Sequence, residues 1–215
     1  MNDDDRNERR AHIEAAALAL LKEVGYRKTS MLQIAKTAQA SNQTLYAWYE
    51  NKQALFRAII ERFGQAVREQ LQAALQGDQS PLAALAALGP TLLRFTADEH
   101  AILMNRAAVI DAAETGVLAQ AIDEVARGSI YPLICALMQR LVQAGLFAPD
   151  ALPGDDAAQT YVALLFGEAQ LRQALGNLPP FDEAEMARRS ERAFALTCRL
   201  YLTAAGRRRL AAGRE

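Results

Sequence analysis

The residues with the strongest chemical signal in this sequence lie between Ser41 and Lys52, in the stretch SNQTLYAWYENK. A helix turns by about 100° per residue, so a helix here would place Leu45 and Tyr49 on one face. The opposite face would carry Gln43, Thr44, Tyr46 and Ala47. That face is uncharged and rich in hydrogen-bonding groups, which suits a helix that enters the DNA major groove. The same pattern also fits an ordinary amphipathic turn between two core helices.

The polar side chains of this stretch have different uses in a DNA complex. Amide groups such as those of Asn42 and Gln43 can pair with adenine. The hydroxyls of Thr44 and Tyr46 are suited to phosphate oxygens. A helix that begins just after them would direct its free backbone N–H groups and the Lys52 ammonium to the same place, which predicts a phosphate clamp.

The residues upstream predict a platform for this stretch. A helix from about Arg6 to Val24 is indicated by apolar residues at helical spacing, namely Ile13, Ala16, Ala17, Leu20, Leu21 and Val24. Gly25 can end that helix in a left-handed cap. Ser30 and Gln33 have the spacing of a capping box for a second helix, and Gln39-Ala40 forms a tight connection to the third. Together these elements predict a helix-turn-helix module on a three-helix platform.

This module resembles the amino-terminal signature of the TetR family of bacterial transcriptional regulators, over roughly Ala11 to Ile60. The residues that carry the resemblance are Thr29-Ser30, Ile34-Ala35, Ala38, Ser41, Thr44-Leu45-Tyr46, Tyr49, Lys52 and Leu55-Phe56. The resemblance implies an all-α homodimeric regulator, usually a repressor, whose carboxy-terminal domain binds a small effector. The DNA-contacting set that we predict is Ser30, Gln33, Ser41, Asn42, Gln43, Thr44, Tyr46, Trp48 and Lys52.

Two positions depart from the family pattern. The turn between the second and third helices usually has Gly where this sequence has Gln39, so Gln39 must adopt a left-handed conformation or the turn must open differently. A second-helix position that is often Arg is Leu32 here, which removes one charged DNA contact. The operator sequence therefore does not follow from the resemblance.

The charge distribution separates the module from the rest of the chain. Residues 6–64 contain ten Lys and Arg against five Asp and Glu, a net charge of +5, whereas residues 65–215 contain fourteen against seventeen, a net of −3. A basic amino-terminal module on an acidic body fits a DNA-binding protein whose second part has another role. The candidate phosphate-facing charges are Arg9, Arg10, Arg27, Lys28 and Lys36.

The remainder of the chain reads as helices, without strand alternation. We predict an all-α fold with a DNA-binding domain over residues 1–58 and an effector-binding and dimerisation domain over residues 59–215. A long helix from Asn51 to about Gln76 follows the module, and Ser80 with Pro81 then predicts the cap and first residue of the next helix. The later helices are predicted over 82–97, 99–113, 116–125, 129–144, 155–175 and 182–204.

Dimerisation is predicted from the last two of these helices, because each has apolar residues on more than one side. By resemblance to the family, they pair with their symmetry mates as a four-helix bundle. The candidate interface residues are Tyr161, Leu165, Phe166, Phe194 and Tyr201. The alternative is a large monomeric core.

The effector site gives a weaker signal. Flexible apolar side chains and occasional polar groups on the middle helices are suited to lining a mostly apolar cavity. The candidates are Phe95, His100, Met104, Asp111, Tyr131, Met138 and Phe166. The identity of the effector does not follow from these residues.

Several function classes find no support in the sequence. We expect no enzyme, metal or cofactor site, because it has two His, no Cys cluster, no glycine-rich phosphate loop and no credible catalytic triad. We expect a cytosolic protein without a membrane partner, because the start is acidic and polar and no apolar run is long enough to span a bilayer. The predicted function is a regulator that binds a palindromic operator in double-stranded DNA, and the rival is a helical interaction or scaffold module that does not bind DNA.

Overall fold

The computed structural model describes residues 3–76, 80–148 and 154–212, and these residues form helices joined by short connections. A π-helical turn, Ala126–Ile130, precedes the eighth helix. The α-helices are α1 Asp3–Val24, α2 Met31–Thr37, α3 Asn42–Trp48, α4 Lys52–Gln76, α5 Pro81–Thr96, α6 Glu99–Ala112, α7 Val117–Val125, α8 Tyr131–Gln143, α9 Gly154–Phe166, α10 Ala169–Ala174, α11 Glu183–Tyr201 and α12 Ala204–Ala212. The predicted all-α fold is confirmed.

The chain forms two compact units. Unit 1 contains Met1–Phe63 and Leu103–Val125, and unit 2 contains Gly64–Ile102 and Ala126–Glu215. The chain therefore passes from one unit to the other three times: within α4, within α6 and between Val125 and Ala126. The functional division predicted from the sequence, at residues 58 and 59, remains a prediction.

Unit 1 is held by a core in which α1 to α4 contribute their apolar faces. Buried residues such as Ile13, Ile34, Leu45 and Ile59 belong to one cluster. The same cluster includes Met104, Ala107, Leu118 and Ala121 from the later segment. A fully buried Leu or Ile side chain contributes about 1.5–3 kcal/mol through removal from water, so this shared core explains why residues 103–125 belong to unit 1.

Unit 2 is organised by the packing of α5, α9 and α11. The Ser80 hydroxyl caps α5 by accepting from the Ala83 N–H at 3.3 Å, and Pro81 follows as predicted. Where α5 meets α11, a Cβ atom at Gly89 would lie 2.9 Å from both Ser190 Cβ and Tyr161 Oη. Only glycine therefore fits this crossing without a shift of its neighbours.

Three features of unit 2 differ from the sequence prediction. The helix predicted over 155–175 is interrupted after Phe166, because Gly167 adopts a left-handed conformation with φ of 51° and the chain restarts as α10. The helix predicted over 182–204 ends at Tyr201, because Leu202 has extended backbone angles. The short helix α12 that follows was not predicted, and its Gly206 lies so close to the Leu146 carbonyl that a Cβ atom would overlap it.

Neither a membrane-spanning helix nor a metal site is present in the parts of the chain that the structure describes. No helix there has the length and apolar character needed to cross a membrane. Among the same residues, no group of three His, Cys, Asp or Glu side chains is arranged to hold a metal ion.

Candidate nucleic-acid interface

Helix α3 has the two faces that the helical wheel predicts. The Ser41 hydroxyl caps it by accepting from the Thr44 N–H at 3.0 Å. Leu45 and Tyr49 are buried on the inner side, whereas the side chain of Tyr46 is 55% exposed. Asn42, Gln43 and Ala47 are also exposed. The outer face is therefore a short, uncharged, hydrogen-bonding surface on a rigidly packed helix.

The inner side of α3 is anchored by polar contacts as well as by apolar burial. The Tyr49 hydroxyl donates to Glu14 Oε1 at 3.2 Å, and the Glu14 carboxylate forms an ion pair with Arg62. Burial raises the pKa of the Tyr49 hydroxyl above its ordinary value. The contact fixes the end of α3 against α1, the helix that carries Glu14.

Ser30 and Gln33, two predicted DNA-contacting residues at the start of α2, already form hydrogen bonds with each other. Ser30 and Gln33 form the predicted capping box, in which the Gln33 N–H donates to Ser30 Oγ at 3.3 Å and the Ser30 N–H donates to Gln33 Oε1 at 3.0 Å. Both side chains are exposed. The Gln33 side-chain N–H₂ group is left with donors for a partner, whereas its oxygen already serves the cap.

Lys52, the residue predicted to act as a phosphate clamp, makes contacts within unit 1. Asn51 caps α4 by accepting from the Ala54 N–H at 2.8 Å, so the helix start is formed as expected. The Lys52 ammonium, however, donates to the Tyr26 carbonyl at 2.9 Å and lies 4.2 Å from the centre of the Tyr26 ring. Desolvation lowers the pKa of Lys52. The ammonium is engaged within unit 1, and a DNA role for Lys52 remains a prediction.

An open cleft runs beside the outer face of α3. Its volume is about 500 Å³, and it is lined by Asp5, Arg9, Gln43, Thr44, Ala47 and Trp48. The half-buried Trp48 ring supplies an apolar wall, while Arg9 from α1 supplies a positive charge. Of these residues, Asp5 and Ala47 were not predicted as contacts, and Arg9 was named only as a candidate surface charge.

The turn between α2 and α3 keeps the left-handed geometry despite its Gln39. The φ angle of Gln39 is 48°, and among the described residues no other non-glycine has a positive φ. The Ala40 N–H donates to the Ala35 carbonyl at 2.9 Å and the Gln39 N–H to the Lys36 carbonyl at 3.2 Å. These two bonds define a Schellman motif, so the turn closes in the conformation that glycine usually provides.

A buried polar contact ties the later segment of unit 1 to the module. The Tyr26 hydroxyl donates to Asp111 Oδ1 at 3.1 Å, and Asp111 Oδ2 accepts from the Leu118 N–H at 3.1 Å. Thr115 adds a hydroxyl donor at 2.8 Å. Burial, followed by the Asp111 carboxylate, raises the pKa of Tyr26. Asp111 was predicted to bind an effector, but its carboxylate is already used by these internal donors.

The predicted effector residues are divided between the two units. Met104 and Asp111 belong to unit 1, whereas the other candidates belong to unit 2. Within unit 2, His100 is exposed beside Asp98, and Met138 is fully buried in the core. The remaining candidates, Phe95, Tyr131 and Phe166, are half-buried.

Three of the five predicted dimer residues are buried within unit 2. Tyr161, Leu165 and Tyr201 are buried in the core of unit 2, because α9 and α11 pack against each other within one chain. Phe166 and Phe194 are half-buried. In the described part of unit 2, the large apolar side chains that are exposed are Leu171, Leu175 and Leu200, at 64%, 66% and 58%.

The sequence analysis did not predict a polar role for three buried hydroxyls in unit 2. The Tyr161, Thr197 and Tyr201 hydroxyl oxygens are buried and have no hydrogen-bond partner. Buried polar atoms usually have partners, so unpaired ones need an explanation. Thr197 and Tyr201 lie one helical turn apart on α11, and that spacing of polar residues was the available signal.

Comparisons with known proteins agree with this architecture. Residues 13–59 match the family model for bacterial regulatory proteins of the tetR family, and residues 83–203 match the AefR-like transcriptional repressor, C-terminal domain. No curated protein matches the chain.

Solved structures show the same fold at low sequence identity. A TetR-family transcriptional regulator from Mesorhizobium loti MAFF303099 is 21% identical with a TM-score of 0.76, and the match covers 94% of this chain and 100% of that one. The SmeT–triclosan complex is 21% identical with a TM-score of 0.72, covering 92% and 93%. FadR from Bacillus subtilis in complex with stearoyl-CoA is 18% identical with a TM-score of 0.68, covering 87% and 97%.

The two family models together span the helix-turn-helix module and most of the remaining chain, and the carboxy-terminal model alone spans more than half of it. This chain belongs to the TetR family of bacterial transcriptional regulators: it is a DNA-binding regulator with a ligand-binding carboxy-terminal domain.

Proposed function

We propose that this protein is a cytosolic repressor that binds a palindromic operator as a homodimer and releases it when a small effector binds in unit 2. The observation that carries the DNA half of the proposal is the outer face of α3, where hydrogen-bonding side chains are exposed on a helix whose inner face is buried. A face of this kind can enter a major groove without loss of core packing.

The side chains of α3 divide into base-reading and phosphate-binding groups. Asn42 and Gln43 are exposed amides at the helix start, where a recognition helix contacts base edges. Tyr46 presents a hydroxyl and an exposed ring on this face, whereas Thr44 is half-buried and its hydroxyl forms a hydrogen bond with Ser41 Oγ at 2.8 Å. We assign base preference to the two amides and backbone contacts to the two hydroxyls.

We assign supporting roles to four further residues: Ser41, Trp48, Ser30 and Gln33. Ser41 fixes the start of α3 as its cap, and Trp48 lines the cleft beside it. Ser30 and Gln33 order the start of α2, where the side-chain amide of Gln33 keeps donors for a phosphate or base. Lys52 contributes positive charge near the module, although its ammonium already contacts Tyr26.

A single recognition helix gives too few contacts for useful specificity in a genome, so operator binding requires two copies about one helical turn apart. We assign the dimer seam to the exposed apolar residues Leu171, Leu175 and Leu200 of unit 2. Exposed apolar side chains of this size favour burial against a partner, and each contributes about 1.5–3 kcal/mol when fully buried.

The effector is assigned to unit 2 because its buried hydroxyls lack partners. Leaving a buried donor unpaired costs about 1–3 kcal/mol, and a ligand with hydrogen-bond acceptors would remove part of that cost. The Tyr161, Thr197 and Tyr201 hydroxyls are thus our candidate polar contacts for a mainly apolar molecule. Two structural relatives are described in complex with triclosan and with stearoyl-CoA, both of which combine large apolar parts with polar atoms.

Electrophoretic mobility shift of DNA from upstream of the protein's own gene tests the DNA half of the proposal. We expect the wild type to shift a fragment that contains an imperfect palindrome, and Gln43→Ala or Asn42→Ala to relax the sequence preference at about one or two positions per half-site. Gln159→Ala, an exposed amide on α9, is the matched control and should behave as wild type. An unchanged consensus for both α3 variants would assign base reading to other residues.

A further inference from the structure

The turn between α2 and α3 needs a residue in the left-handed conformation, and this sequence has Gln39 there instead of glycine. Position 39 is the left-handed residue of a Schellman motif, where glycine is favoured because it has no Cβ atom. Gln39 adopts this conformation with φ of 48°. The conformational free-energy cost of this φ angle at Gln39 disfavours the turn, and the turn sets the direction of α3.

A side chain from another helix contacts this residue. The Arg9 guanidinium of α1 donates from Nη2 to the Gln39 carbonyl oxygen at 2.7 Å, across 30 residues of sequence. A hydrogen bond from a charged donor is shorter and stronger than a neutral one. The carbonyl that accepts it belongs to the strained residue itself, so the bond acts directly on the peptide that must keep this orientation.

Arg9 also lies beside the surface that reads DNA. It lines the same cleft as Gln43, Thr44 and Trp48 of α3. One side chain therefore contacts the turn before α3 and borders α3 itself. Loss of Arg9 would affect the direction of the helix as well as the local charge.

We propose that Arg9 is a positioning residue for DNA recognition, which holds the Gln39 carbonyl and so stabilises a helix-turn-helix turn that lacks glycine. This inference rests on the proposed role of α3 in base reading. It differs from a simple phosphate contact, because the effect of Arg9 depends on which residue occupies position 39.

A double-mutant cycle measures that dependence. Arg9→Ala should weaken operator binding about fivefold, because a hydrogen bond from a charged but partly exposed donor is lost. Gln39→Gly should bind as well as wild type, since glycine adopts the left-handed conformation without help. In the Gln39→Gly background, Arg9→Ala should cost less than about twofold.

Two further measurements separate positioning from charge. Arg6→Ala removes the same charge from an exposed site on α1 and should change affinity less than about twofold. A direct phosphate contact would lower the salt slope of log affinity by about one when Arg9 is removed, whereas a positioning role leaves the slope unchanged.

Hydrogen exchange without DNA tests the turn itself. The Ala40 N–H closes the Schellman motif, so its exchange should be about fivefold faster in Arg9→Ala, while the Leu45 amide inside α3 keeps its protection. Failure of the Asn42 and Gln43 variants to change base preference would remove the reading role of α3 but leave this exchange result standing. An equal loss of affinity in both backgrounds, a lower salt slope or unchanged Ala40 exchange would overturn the positioning role.

Discussion

Units 1 and 2 differ in the hydrogen bonding of the buried polar groups that we compare here. In unit 1, Glu14 is paired with Tyr49 and Arg62, and Asp111 accepts from Tyr26 and two further donors. In the described part of unit 2, three buried hydroxyls have no partner. Satisfied networks specify one arrangement of the helices around them, whereas unpaired donors leave binding capacity inside the core. The comparison identifies the Tyr161, Thr197 and Tyr201 hydroxyls of unit 2 as groups that keep unused hydrogen-bonding capacity in the core.

The largest expected effect is on the network of unit 1. Asp111→Ala removes the acceptor for the Tyr26 hydroxyl and the Leu118 N–H, both of which are buried. We expect a loss of about 3 kcal/mol in the free energy of unfolding, because each buried donor is left unsatisfied and a small cavity forms. Urea unfolding followed by circular dichroism measures it.

Glu23→Ala, an exposed carboxylate on α1, is the control and should change stability by less than about 0.5 kcal/mol. Equal stability of Asp111→Ala and wild type would remove Asp111 as a structural link in unit 1.

The next effect concerns self-association through unit 2. Leu200→Glu should weaken the dimer by about 2–3 kcal/mol, because a carboxylate would be buried in an apolar seam. Leu32→Glu is the matched control, since Leu32 is 64% exposed and lies on α2 of unit 1. Sedimentation equilibrium of both variants measures the dissociation constant. A dimer that is weakened by Leu32→Glu and unaffected by Leu200→Glu would place the seam in the other unit.

The stability of the folded chain at alkaline pH tests the raised pKa of Tyr26. Burial and the Asp111 carboxylate raise the pKa of Tyr26, so the folded chain holds this proton at a pH where an unfolded tyrosine, with a pKa of about 10, releases it. The stabilisation is therefore fully present below pH 10 and is lost as the pH rises above it, by up to about 1.4 kcal/mol per pH unit.

Tyr26→Phe should make that decline shallower, and urea unfolding at pH 9 and pH 11 measures the difference. An identical decline in wild type and Tyr26→Phe would mean that the Tyr26 hydroxyl titrates as it does in the unfolded chain.

The smallest expected effect is the change in stability when a buried tyrosine hydroxyl is removed, which should differ between the two units. Tyr26→Phe should destabilise by about 1 kcal/mol, because a donor to Asp111 is lost. Tyr161→Phe should leave stability unchanged or raise it by up to about 1 kcal/mol, because its hydroxyl has no partner to lose. Thermal unfolding by calorimetry compares the two. Equal destabilisation by both substitutions would indicate that Tyr161 is also paired, and the contrast between the units would fail.

Local patterns in the sequence predicted the parts of the site that depend on near neighbours. The two faces of α3, the Ser30–Gln33 capping box and the Ser80 cap follow from spacings of three and four residues, which a helix fixes by its geometry. These features need no knowledge of distant segments. They are present as predicted, apart from the DNA contacts themselves, which stay predictions.

These local patterns did not predict contacts between residues that are far apart in the sequence. The engagement of Lys52 with Tyr26 and the occupation of Asp111 by internal donors depend on tertiary packing across 26 and 85 residues. The apolar faces of the last long helices were assigned to a partner chain, but packing within the chain buries Tyr161 and Tyr201. A wide apolar arc does not reveal which neighbour covers it.

The chain has a single tryptophan, Trp48, and it lies at the end of α3 beside the cleft. Intrinsic tryptophan fluorescence of this protein is therefore a signal from the recognition helix alone. Because the ring is only half-buried, its emission should respond when DNA covers the outer face of α3. Unlabelled protein can thus report operator binding by stopped-flow. An effector that binds in unit 2 should alter this emission only through a conformational change that reaches α3.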